Sequence, residues 1–193
     1  MSHILLHSRA IYRHIQTNIK AMQNVKNQRK GQLIMKSNLD LVAKYNPVLL
    51  VANSILDRSF KDGQTMTHMK LQKLTYFVYK KYLEDTGNTL FDEDFEAWKY
   101  GPALRSVYEV FRAFAHIDGY YAIFDGEKNP KIVSLKHENF YDALDFVMKR
   151  YGNYSGLELS EITHGDGTAW KKAVDNDVLE LDTDDILNEE WVF

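Results

Sequence analysis

The segment from Met69 to Phe111, MKLQKLTYFVYKKYLEDTGNTLFDEDFEAWKYGPALRSVYEVF, constrains the fold more than any other stretch of the chain. Leu71, Leu74, Val78 and Tyr82 recur at intervals of three, four and four residues, the period of one helix face. Thr67 stands where an N-cap is needed, and Gly87 where a left-handed residue ends a helix. The alternation in DEDFEAWKYG then predicts a strand near a sheet edge, with Phe95, Ala97 and Lys99 on one face and Glu96, Trp98 and Tyr100 on the other. Gly101-Pro102 reads as a rigid strand-to-helix turn, Gly supplying an unusual backbone angle and Pro the first helical residue. The helix it opens turns Leu104, Val107, Phe111 and Phe114 inward.

The flanking sequence carries further helix signals. Asn46 and Pro47 announce a helix whose inner face is Val48, Val51, Ala52, Ile55 and Leu56. Tyr120 to Leu135 reads as two strands around a six-residue turn containing Gly, Asn and Pro. Phe140, Leu144, Val147 and Tyr151 mark another helix, and Ser155 with Glu158 forms a capping box for a short one through Ile162. Thr168 caps a turn carrying Trp170 and Val174, and Asp182 or Thr183 starts a last helix presenting Ile186, Leu187 and Trp191. The predicted fold class is mainly α with a small antiparallel β-sheet, an α+β arrangement forming a compact helical domain.

Composition excludes several classes of function. The 193 residues contain no cysteine, which removes disulfides, thiolate nucleophiles and cysteine-ligated metal centres. No apolar run approaches the roughly 20 residues that span a bilayer, and a cytoplasmic, membrane-free protein is the expectation. Residues 1–36 hold seven Lys or Arg and no Asp or Glu, so the remainder is ten charges negative. This basic arm has the spacing of an amphipathic helix through Ile4, Ile11, Ile15, Ile19, Met22 and Val25. Two readings stay open: an upstream extension before a natural start at Met35, or an arm that docks, oligomerises, contacts DNA or lies on a membrane surface. The domain proper is residues 37–193.

The residues of this domain resemble the Panacea domain family, also called SocA-like. Leu71, Lys73, Leu74, Tyr76 and Phe77 fit its KLQKLLYF-like helix; Gly87, Leu90 and Phe91 fit its G-x-x-L-F turn. Glu96, Ala97, Trp98, Gly101 and Pro102 fit its E-A-W-x-x-G-P core, and Tyr108 the helix after it. Leu157, Leu159, Ser160, Thr163, His164 and Trp170 fit its closing pattern. Ala103 and Leu104 depart from the residues usual after Gly-Pro, and Ala169 replaces a frequent proline. The resemblance implies an antitoxin of bacterial or prophage type that binds a cognate toxin directly, as an adaptor for an AAA+ protease in some members. It implies no enzyme activity and no cofactor. Partner-binding or family-motif candidates are Lys73, Tyr76, Glu96, Trp98, Tyr100, Gly101, Pro102, Tyr108, Thr163, His164 and Trp170; the plain alternative is core packing for Trp98 and Trp170 and turn geometry for Gly101-Pro102.

His164 with Asp166, in a loop holding Gly165 and Gly167, is the best candidate for chemistry, as a general base or one metal ligand. A local hydrogen bond that holds the loop is the simpler reading. The other histidines show no ligand spacing with it, so no metal site is assigned. Sequence motifs for phosphate cradling, serine acyl transfer and zinc hydrolysis are missing. Behind the antitoxin reading stand a DNA-binding regulator using the arm and a hydrolase using His164 and Asp166.

Overall fold

The computed structural model describes residues 46–192, so the arm and the start at Met35 lie outside the described residues. In chain order the elements are α1 (Pro47–Lys61), α2 (His68–Thr86), β1 (Glu96–Trp98), β2 (Gly101–Ala103), α3 (Arg105–Phe111), α4 (Glu138–Tyr151), α5 (Gly156–Thr163), α6 (Ala169–Asp175) and α7 (Thr183–Asn188). The fold is mostly helical with one small antiparallel hairpin, the α+β class read from the sequence. No described helix is long and apolar enough to cross a membrane.

Local chemistry sets the helix ends. The side chains of Asn46, Thr67, Ser155, Thr168 and Asp182 each accept a hydrogen bond from a backbone N–H in the first turn of the helix that follows. Ser155 and Glu158 form the reciprocal capping box. Gly87 closes α2 in the left-handed region at φ 68°.

α2 is the axis on which the rest assembles, packing against α1, α3, α4, α5, α7 and β2. The sequence predicts one inward stripe; in the structure every residue from Lys70 to Lys80 is buried. Its polar side chains reach neighbouring elements instead of water. Lys70 Nζ donates to the Gly152 and Thr65 carbonyls at 2.6 and 3.3 Å. Gln72 bonds Leu104 twice, donating to its carbonyl at 2.9 Å and accepting its N–H at 2.8 Å. Lys80 lies 4.1 Å above the Trp191 ring, which is surrounded by Phe77, Phe146 and Tyr151. Lys70, Gln72 and Lys80 can be buried here because the polar end of each meets a partner at the seam.

The hairpin corrects the expected strand-to-helix turn. Glu96, Ala97 and Trp98 pair with Ala103, Pro102 and Gly101, so Lys99 and Tyr100 form the turn and Pro102 is a strand residue. In the alternating antiparallel ladder the pair closing a two-residue turn exchanges the hydrogen bonds. Pro102 therefore faces away from β1, where its missing N–H breaks nothing. α3 starts three residues later than expected, at Arg105, and the Glu93 carboxylate accepts the Ser106 N–H at 3.0 Å. On its other edge β1 meets residues 179–181: Ala97 N–H donates to the Leu179 carbonyl at 2.6 Å, and Leu181 N–H to that of Phe95 at 2.8 Å.

Tyr120 to Leu135 is the second correction, because only a bridge between Phe124 and Pro130 pairs its two limbs. Buried Asn53 of α1 explains why. Its side-chain amide donates to the Ile123 and Lys131 carbonyls and accepts the Ala122 N–H, at 2.9, 2.7 and 2.7 Å. Ser54 accepts the Val133 N–H at 3.0 Å. Helix side chains thus take the Lys131 carbonyl and the Val133 N–H that a longer ladder would use, while the Ile123 carbonyl still accepts the Lys131 N–H at 2.9 Å.

Candidate functional site

Where the first turns of α2 meet the hairpin and α3, a groove of about 410 Å³ opens, lined by His68, Met69, Gln72, Lys73, Trp98, Lys99, Tyr100, Gly101, Ala103 and Tyr108. Five of the sequence candidates share this surface: Lys73, Trp98, Tyr100, Gly101 and Tyr108. Each is placed by a different piece of local chemistry.

Lys73 forms the floor, 2% exposed, and its Nζ donates to the Pro102 carbonyl at 2.8 Å. Burial pushes the ammonium down to about 7. Gly101, at φ 97°, lies so close that a Cβ there would sit 2.4 Å from Thr163 Oγ1 and 2.9 Å from both Cε and Nζ of Lys73. Glycine is needed here both for the angle and for the space. Glu96, on the outer face of β1, accepts from the Trp98 indole at 2.5 Å and from Arg105, the latter at 2.8 to 3.1 Å. That clamp orients the Trp98 ring, whose neighbour Tyr108 meets it edge-on at 4.8 Å between centroids. Tyr100, at the hairpin tip, is 52% exposed and lies 5.2 Å from the Lys99 ammonium.

The remaining candidates lie behind or away from the groove. Ser160 donates to the Tyr100 carbonyl at 2.7 Å, and buried Thr163 donates to the Ser160 carbonyl at 2.8 Å, so α5 backs the hairpin. Trp170 donates its indole N–H to the Trp98 carbonyl at 2.8 Å. Tyr76 is 1% exposed and packs edge-on to Phe95 and Phe77 in the core, with no surface to present. Burial, then the nearby Glu189 carboxylate, pushes its phenol up.

His164 and Asp166 do not form the expected pair. The imidazole stacks on Trp170 at 3.9 Å between centroids and 25° between planes, while Asp166 is exposed. The loop is held by Thr168, whose hydroxyl is within 2.9 Å of the Thr163 and Gly165 carbonyls, rather than by a histidine bond. Burial, followed by the Lys73 charge, lowers His164; the same two causes in the same order lower His68. Among the described residues no three His, Asp or Glu side chains gather in a way that could hold a metal ion.

His68, Met69, Gln72, Lys99 and Ala103 also line the groove and are not among the partner-binding candidates the sequence offers. His68, Met69, Gln72 and Lys73 follow the i, i+1, i+4, i+5 spacing of one helix face, a signal hidden by the stronger leucine stripe beside it.

A family model described as antitoxin SocA-like, Panacea domain, matches residues 71–171, which contain the groove lining from Gln72 to Tyr108, its α5 backing and Trp170, with His68 and Met69 just before the match. The chain belongs to the SocA-like Panacea family. It is 30% identical over 128 residues to Antitoxin SocA of Caulobacter vibrioides (strain NA1000 / CB15N), an alignment covering 62% of this chain and 66% of that protein. This chain therefore matches just under two thirds of that relative's length. No solved structure matches. The family's E-A-W-x-x-G-P signature now has a physical content: Glu96 orients Trp98, Gly101 admits Lys73 and Thr163, and Pro102 supplies the carbonyl that holds Lys73. The departure at Ala169 has one too. Its N–H, which a proline would lack, donates to the buried Glu189 carboxylate at 2.9 Å.

Proposed function

We propose that this protein is an antitoxin that works by stoichiometric capture, binding a cognate protein toxin through the groove between α2, the hairpin and α3, and that it is not an enzyme. Family membership carries the reading. The groove supports it in kind, since interfaces draw most of their energy from a few aromatic and basic anchors held in place before the partner arrives. Trp98, Tyr100 and Tyr108 are such anchors, supported by Glu96, Arg105, α5 and Trp170.

The test is co-expression with the product of the adjacent reading frame in a cytoplasmic setting. A one-to-one complex and relief of growth arrest are expected; recovery of the chain alone, with arrest unrelieved, overturns the proposal. Delivery of the captured toxin to an AAA+ protease is a further step that this reading admits. A shorter toxin half-life in cells expressing the chain, restored when the protease is deleted, is the outcome that step requires.

A further inference from the structure

The groove has a charge unlike that of the domain around it. Residues 37–193 are ten charges negative, yet the groove is lined by Lys73, Lys99 and His68 with no Asp or Glu. The three buried lysines of α2 show what is unusual at its floor. Lys70 donates to two carbonyls, and Lys80 lies on the Trp191 ring with Glu189 and Glu84 favouring its charge. Lys73 has one carbonyl and, among the described residues, no ion pair. An ammonium carries three hydrogens, and a buried cation is costly unless paired.

Taking the antitoxin reading for the identity of the partner, we infer that the groove seats an Asp or Glu side chain of the captured protein, flanked by an apolar residue. The carboxylate meets Lys73 at the floor, and the apolar neighbour lies against Met69, Trp98 and Tyr108. The chain's own basic arm is the wrong occupant, because seven Lys or Arg and no acid do not complement a cationic floor.

Binding is coupled to a proton. The groups nearest Lys73 are His68 on its own helix, the Pro102 carbonyl and Gly101 on the hairpin with Lys99 at the rim, Tyr108 from α3, and Thr163 and His164 at the end of α5. None is a carboxylate. With its ammonium held down to about 7, Lys73 is partly neutral in the free protein, and an incoming carboxylate restores the charged form. Affinity therefore falls as pH rises above about 7.

The experiment is an NMR titration of the isotope-labelled full chain with N-acetyl-Leu-Glu-Leu-amide, its Gln counterpart, and the Gln peptide as a free acid. Saturable shifts of Lys73 Cε and the Trp98 indole are expected with the Glu peptide, at least about tenfold weaker with the Gln amide. Lys73→Met should reduce the Glu peptide to the level of the Gln amide. Lys99→Glu, on an exposed rim residue that leaves the core intact, should weaken it as well. Equal affinity for Glu and Gln amides, no shift at either probe up to about 10 mM peptide, or tighter binding of the free acid overturns the inference. Toxin capture that survives both substitutions unchanged overturns it while leaving the antitoxin reading in place. A saturable Glu-peptide response with no toxin complex does the reverse.

Discussion

At the scale of single residues, Gly101 is where backbone and side-chain requirements meet. Gly101→Ala imposes a positive φ of 97° on an L-residue and drives a methyl into Thr163 Oγ1, so a loss of about 2–4 kcal/mol is expected in chemical denaturation. Adding Thr163→Ala should recover only part of it, because the angle remains. Ala169→Pro tests the family departure. Ala169 is the first residue of α6, where proline is tolerated, but Glu189 would lose its backbone donor; a cost of about 1–3 kcal/mol is expected from a substitution that position alone would accept. Lys73 adds a pH dependence of stability. Its folded value of about 7 lies below the ordinary 10.5, so the unfolded chain binds that proton more tightly across the window between them. Stability from this group thus rises with pH over that window. Lys73→Met should flatten the rise, and urea midpoints measured for both proteins across the window are the check.

Among elements, the long connection between α3 and α4 shows what patterning cannot reveal. Its Val, Ile and aromatic residues suggest strands, but Asn53 and Ser54 of α1 take the Lys131 carbonyl and the Val133 N–H that further strand pairing would use. Asn53→Ala should cost about 2–4 kcal/mol, since three partners lose a buried bond. Amide exchange should accelerate over residues 120–133 while α2 and α4 stay protected. The hairpin, in contrast, was legible in part: the apolar and aromatic alternation located β1. Its partner strand is hidden in the sequence because Pro102 satisfies a helix start as well as it does a strand position that faces away from the ladder.

For the whole molecule, the antitoxin reading predicts an endpoint rather than a rate. Titrating purified toxin with this chain should abolish toxicity at one equivalent and leave it proportionally active below that. Full inactivation by a small fraction of an equivalent would mean turnover, and would return attention to His164, which the structure places in a stack on Trp170 and away from Asp166. The two corrections, at the hairpin and at residues 120–135, fall where one segment's backbone is completed by a distant segment's side chains.

The caps, the apolar stripe of α1 and every helix position except the start of α3 followed from the order of residues alone, because capping and periodicity are interactions among neighbours a few positions apart. The groove could be assembled only in three dimensions. Its lining runs from His68 to Tyr108, 40 residues apart in the chain, and Thr163, 90 residues beyond Lys73, backs it beside Gly101; that assembly depends on the elements packed around α2. Burial of that kind is a property of what surrounds a helix, and no feature of the helix's own sequence fixes it.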